Sequence, residues 1–276
     1  MARDIIEVAN VSDTGQKRPH NEDSAVTDSS LGLAIVADGM GGYKAGEVAS
    51  AIAAQLILNE VTAKSVQLEE HKDTEKTGLS PASKIIRDAI SRANSEVYRT
   101  AQEVPQCQGM GTTVVVVFYH NNRVSIAHVG DSRVYRMRGH EFTQITRDHS
   151  LIQELIDRGF FTPEEAAENT PKNLVTRALG IELNVEVDVQ EQEVEAGEIY
   201  LLCSDGLNDM VDDEEIHLTL SKYSANLVEA AQELVRLANE KGGKDNISVV
   251  LVRPQSATPG GPGLMAKFNS FVKKGS

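Results

Sequence analysis

Between residues 111 and 139 three apolar runs, GTTVVVVFYH, RVSIAHVG and SRVYRMRG, follow one another with almost no connecting chain. Runs of this length, rich in Val, Ile, Phe and Tyr, read as strands. A parallel pair needs a crossover of about a dozen residues or more, so strands joined this closely pair antiparallel. This stretch commits the chain to an antiparallel sheet.

The rest of the chain extends that reading. DIIEVANVS (4–12), LGLAIVAD (31–38), VEVDVQEQEV (185–194), EIYLLCSD (198–205) and NISVVLV (246–252) are further strands by apolar content and length. Residues 45–61 read as a helix with little polar surface. Residues 82–101 form an amphipathic helix with Ile85, Ile86, Ala89, Ile90, Ala93 and Val97 on one face. Residues 225–242 form another. The polar segment 62–80 reads as a loop, and 148–180 as short helices and loops. From Thr258 the chain turns Pro/Gly-rich and reads as a tail outside the domain. In that tail Leu264, Met265, Phe268, Phe271 and Val272 recur near helical spacing, as a loose end or as a short docking helix.

Composition removes several functional classes. The 276 residues carry 41 acids against 27 bases, a net charge of −14, with no long basic run. Phosphate backbones need clustered Lys and Arg, so nucleic acid is not an expected partner. The N-terminus has acids inside its apolar part and lacks a signal-peptide core. No apolar run approaches the roughly 20 residues that span a bilayer, so no transmembrane segment is expected. Cys107 and Cys203 are too few for a disulfide scaffold. A soluble, cytoplasmic protein is expected. Cys203, inside an apolar strand, should be a buried, inert thiol, and Cys107, in the polar loop PQCQG, an exposed one.

The acids then stand out by position. Asp38, Asp131 and Asp205 each follow the end of an apolar run, and Asp245 and Asp23 each precede one. In an antiparallel sheet the start of one strand lies beside the end of its neighbour, so these carboxylates can gather at one edge. Clustered like charges raise one another's pKa, and a divalent cation is the ordinary remedy. An oxygen-only ligand set favours Mg²⁺ or Mn²⁺, and this many acids suggest more than one ion. The glycines after Asp38 match neither familiar phosphate loop. The Lys-Ser/Thr end of a P-loop is missing after Gly41, and Lys44 stands where a dinucleotide fingerprint needs its third glycine. They read instead as a turn that lets backbone approach a metal, with the Gly39 carbonyl as a further ligand.

In sequence order the chain carries RPHNED (18–23), VADGMGG (36–42), GMGTTVVV (109–116), AHVGDSRVYR (127–136), TRDHSL (146–151), TRALG (176–180), LLCSDGL (201–207) and KDNISVV (244–250). Taken together these resemble the motifs of the PP2C (PPM) family of metal-dependent protein serine/threonine phosphatases, in its compact bacterial form. The resemblance implies an α+β fold, a four-layer α-β-β-α sandwich with two facing antiparallel sheets. It implies a phosphatase domain over residues 1–254, with a flap at about 148–180, then a linker and tail over 255–276.

It also implies roles. Asp38 would bridge two Mn²⁺ or Mg²⁺ ions. Asp205 and Asp245 would complete the first, and the Gly39 carbonyl would bind the second. Asp23, and more loosely Glu22, would hold metal-bound water. Asp131 resembles the residue that shares a weaker third metal with Asp205. Arg18 would bind the substrate phosphate through its planar fork. Two ions about 3.5–4 Å apart would share a hydroxide that attacks phosphorus in line. Met40 stands where animal members carry a His proposed as general acid, and His149 is an available substitute whose place the sequence does not give. Phosphorylated proteins and a cognate serine/threonine kinase are the implied partners of what would be a monomer. Two rival readings are a metal-binding regulatory module without turnover, disfavoured because all the implied ligands are present, and a two-metal nuclease or phosphodiesterase, disfavoured by the acidic balance.

Overall fold

Along Leu33–Met40 (β3) successive side chains face opposite ways, and both sets are buried. Leu33, Ile35 and Ala37 pack with apolar helix residues, while Ala34 and Val36 join a second cluster lying between two sheets. This double burial is why the strand reads as an unbroken apolar run. The computed structural model describes residues 5–42, 44–68, 78–171 and 174–255. The C-terminal tail expectation, and part of the 62–80 loop, lie outside the described residues.

One sheet has the order β2-β3-β5-β6-β9, from Asp23–Asp28 (β2), β3, Val114–His120 (β5), Arg123–Val129 (β6) and Asp188–Glu193 (β9); Gly111–Thr112 (β4) pairs with β3. The other has the order β1-β11-β10-β7-β8, from Ile6–Asp13 (β1), Ile247–Pro254 (β11), Ile199–Cys203 (β10), Arg133–Arg138 (β7) and Glu141–Gln144 (β8). Every pairing between these strands is antiparallel. Ile6, Val115, Val117, Tyr200, Leu202 and Val250 fill the space between the sheets. Ala45–Ser65 (α1) and Pro81–Glu103 (α2) cover the first sheet. Asp213–Lys222 (α6) and Leu227–Glu240 (α7) cover the second. The result is the expected α-β-β-α sandwich of the α+β class. Leu151–Asp157 (α3) and Pro163–Asn169 (α4) belong to the expected flap, and Asp205–Asn208 (α5) follows β10.

Several elements differ from the sequence reading. β3 does not end at Asp38; it runs on through Gly39 to Met40, because β4 pairs with those residues. α1 continues to Ser65, four residues beyond the expected end at 61. α6 and β8 were not expected. Cys107 corrects the exposed-thiol reading: a 3-10 turn at Pro105–Cys107 rotates it into the core beneath α2, where it is 8% exposed. Cys203 is buried as expected, and burial pushes its thiol up to about 12.

Candidate active site

β2 and β3 pair so that Asp23 lies directly across from Asp38. The backbone of Asp38 is clamped by the last residue of β4 and the one after it. Its carbonyl accepts from Thr112 Oγ1 at 2.8 Å and from the Thr113 amide at 2.9 Å. Thr113 Oγ1 also meets Ser132 Oγ at 2.7 Å, which ties this clamp to Asp131 at the end of β6. From the other sheet, β10 delivers Asp205 to the start of α5, and Asp245 comes just before β11. The acids thus come from both sheets and meet at a cleft of about 200 Å³. Asp38, Asp131, Asp205, Asp245 and Glu22 line it, with Arg18, Gly39 and Met40. Asp23 stands behind this lining, where Ser204 Oγ donates to its Oδ2 at 2.8 Å.

The turn after β3 brings backbone close to the acids. A Cβ on Gly39 would sit 2.1 Å from the Gly46 carbonyl oxygen and 2.5 Å from that of Glu22, so only glycine fits. Asn246 fixes the segment that carries Arg18. It accepts from the Glu22 amide at 2.8 Å and donates to the carbonyls of Thr14 and His20, both at 2.9 Å. Arg18 Nη2 donates to Asp245 Oδ2 at 2.7 Å. On the far side of the cleft Arg133 makes a fork to Asp148, with its Nη1 donating to Tyr135 Oη at 2.8 Å. Asn246, Ser204, Thr113 and Arg133 were not singled out from sequence, although each lies within or beside a motif. Their signal is a polar residue in an apolar run, which does not name its partner.

The charges are strained first by burial and then by their own proximity. Burial pushes Asp38 well above the usual carboxylate range, and Asp23, Asp205, Asp131 and Asp245 push it further. Asp205 rises for the same reasons, burial first and then Asp131 and Asp245. Asp23 and Asp131 are each raised to about 6, chiefly by burial. Burial also raises Glu22.

Whether these residues suit divalent ions can be judged from their unpaired atoms. Oδ1 of Asp23 and Oδ1 of Asp205 are buried with no hydrogen-bond partner. Buried acceptors are ordinarily satisfied, so two orphans in one carboxylate cluster mark a missing positive partner. The donors are all oxygen, which suits hard ions. No three of the cleft carboxylates bring ligand atoms within 4.8 Å of one another. Mg²⁺ and Mn²⁺ keep several of their waters and need few direct carboxylate ligands, so the donor chemistry suits them. The residues fit such ions.

A second group of metal-capable side chains, His128, His149 and Asp188, does close to within 4.8 Å. Arg177 already fills it, with Nη1 2.9 Å from Asp188 Oδ1 and 3.1 Å from His149 Nε2. A guanidinium there does the work of a cation. His149 itself is buried, and its Nδ1 accepts from the Gly130 amide at 3.1 Å. It does not line the cleft, so it is not placed to serve as general acid. Its backbone bond to Thr176 instead ties together the two ends of the 148–180 segment, and its bond to Gly130 fastens them to the chain just after β6.

Among the described residues no helix is long and apolar enough to cross a membrane. Residues 16–248 match the family model for protein phosphatase 2C. Among curated proteins the chain is 41% identical over 249 residues to the serine/threonine protein phosphatase PstP of Mycobacterium tuberculosis, covering 90% of this chain and 45% of that one. The chain thus spans about half the length of this relative. It is 39% identical to the serine/threonine phosphatase stp of Listeria monocytogenes, covering 87% of this chain and 92% of the other. Among solved structures it superposes on the catalytic domain of the serine/threonine protein phosphatase PstP in complex with 2 manganese ions. The TM-score is 0.76 and the identity 36%, over 90% of this chain and 97% of that one. On the strength of its motifs, its paired antiparallel sheets and these matches, the chain belongs to the protein phosphatase 2C family.

Proposed function

We propose that the protein is a phosphoprotein phosphatase that hydrolyses phosphoserine and phosphothreonine with two Mn²⁺ or Mg²⁺ ions. The observation that carries this reading is the carboxylate cluster: mutually repelling acids line the cleft with one arginine, and buried oxygens are orphaned on Asp205 and, behind the lining, on Asp23. The manganese-bound relative supports the choice of ion.

Asp38, central among the acids, would bridge the two ions. Asp205 and Asp245 would hold the first, and the Gly39 carbonyl the second. Asp23 and Glu22 would hold them through water, and Asp131 with Asp205 would hold a weaker third. When bound, the ions supply charge to the phosphoryl oxygens and a water acidic enough to attack phosphorus. Arg18 has five N–H donors. One serves Asp245, and the remainder can grip phosphoryl oxygens and hold the group in line. Met40 lines the cleft and carries no proton to give, so the leaving Ser or Thr oxygen takes its proton from water or from another residue. Neither cysteine is needed as a nucleophile. Residues 1–254 form the catalytic domain in this reading, residues 148–180 its flap, and 255–276 a linker and tail. The natural substrates are proteins phosphorylated by a cognate serine/threonine kinase.

The test is phosphate release from a phosphothreonine peptide, with single-stranded DNA as the control. Release with Mn²⁺ that stops in EDTA, with DNA intact, is the expected result. EDTA-resistant release, or DNA cleavage, would overturn the reading.

A further inference from the structure

Next to the carboxylate cleft lies a larger cavity of about 400 Å³, walled by Arg18, Pro19, His20, Glu22, Gly41 and Lys44. It shares Arg18, Glu22 and Gly41 with the cleft, so a chain whose phosphate meets Arg18 would lay its next residues here. On a chain of net charge −14 this wall is unusual in gathering two permanent cations and a histidine. Arg18 is engaged by Asp245, and Glu22 faces both Arg18 and His20. The Lys44 side chain is exposed and has no hydrogen-bond or ion-pair partner among the described residues. Its position is also specified. Lys44 holds a left-handed backbone, φ 87°, at the entry to α1, a conformation that long side chains adopt rarely. The close contact of Gly39 with Gly46 fixes the turn on either side of it.

We propose that this cavity is a specificity subsite in which Lys44 pairs with an acidic side chain flanking the phosphorylated residue. The proposal rests on the phosphatase reading and adds the sequence preference of the substrate. A carboxylate is the occupant because the unpartnered charge is a cation on a chain whose net charge is −14. Such a side chain is steered away from the body of the protein and toward Lys44. Proline after Arg18 restrains the Arg18 backbone to extended conformations, which keeps the wall between cleft and subsite in place.

The experiment measures kcat/KM of the Mn²⁺-loaded full chain on phosphothreonine peptides that differ only in Glu or Lys beside the phosphoresidue. Positions before and after it are both scanned. The wild type should favour Glu over Lys by about three- to tenfold at one or more positions, and salt should shrink the preference. Lys44→Glu should abolish or invert it. Lys44→Asn, which suits the left-handed backbone, should flatten it without strain. The same ratio in all three proteins would overturn the subsite. p-Nitrophenyl phosphate, which has no flanking residue, separates the two claims. Wild-type turnover of it without any peptide preference sinks the subsite alone. No wild-type turnover of any phosphate ester sinks the phosphatase reading. Loss of its turnover in both Lys44 variants would place Lys44 in the chemistry and also overturn the subsite.

Discussion

Arg18 and Asp245 are joined Nη2 to Oδ2 across 2.7 Å, so the proposed phosphate anchor is braced by a proposed metal ligand. Their side chains are 51% and 34% exposed, and a pair this wet contributes little to stability. Its effect is geometric. Asn246, next in sequence to Asp245, holds the carbonyls of Thr14 and His20 on either side of Arg18. Metal site and phosphate site therefore keep a fixed separation.

Arg18→Ala should lower kcat/KM on a phosphopeptide by about 10- to 100-fold, the range for losing hydrogen bonds from a charged donor. The Mn²⁺ concentration for half-maximal activity should move far less. Kinetics measured across a Mn²⁺ titration separate the two. Unchanged peptide kinetics with a shifted Mn²⁺ midpoint would remove Arg18 from phosphate binding.

Gly39→Ala should be costly twice over. The added methyl meets the Gly46 carbonyl at 2.1 Å, and both partners are backbone, so the turn into α1 must open. A loss of about 2–3 kcal/mol in denaturant unfolding is expected, together with most phosphopeptide turnover. Gly42→Ala is the control, since nothing lies within 4 Å of a Cβ there, and should leave both readings near wild type.

The raised acidities make a signed prediction. Asp23 and Asp131 titrate near 6 in the folded chain, above the usual value of about 3.9. The folded state then binds more protons than the unfolded one between about pH 4 and 6. These groups stabilise the metal-free protein below that window, and the contribution is lost as pH rises through it. Protons and metal compete for the same oxygens, so stabilisation by Mn²⁺ should grow as pH rises. The chain has no Trp, so circular dichroism melts in EDTA and in saturating Mn²⁺ are suitable. The Tm difference should be small near pH 5 and large near pH 7.5. An equal difference at both would contradict the assignment of these acids.

Legibility in the sequence followed burial. β5, β6 and β7 were plain because their central residues are buried and their connections are short. The acids were plain because a charge beside a buried run is anomalous. α6 was hidden because its ten residues bury only Ile216, Thr219 and Leu220, one of them polar. Its Asp212 cap, which accepts from the Glu215 amide, was the available signal. Cys107 was misread from its polar neighbours, since one residue of a tight turn can face inward while the others face out. The partners of Asn246 and Ser204 depend on which loops return to β11 and β10, and no local pattern encodes that. The same holds for the removal of His149 from the cleft by its bond to Gly130.

The central claim is that the cleft carboxylates hold two divalent ions through Asp38. The most direct test is Mn²⁺ stoichiometry, counted by electron paramagnetic resonance for the wild type and for Asp38→Asn, with melts and phosphopeptide turnover on the same samples. The wild type should bind two tight ions per chain, and Asp38→Asn should lose at least one along with more than about 100-fold of turnover. Because the buried charge is gone, metal-free Asp38→Asn should melt no lower than the metal-free wild type near neutral pH. Unchanged stoichiometry and wild-type turnover in a folded Asp38→Asn protein would contradict the account.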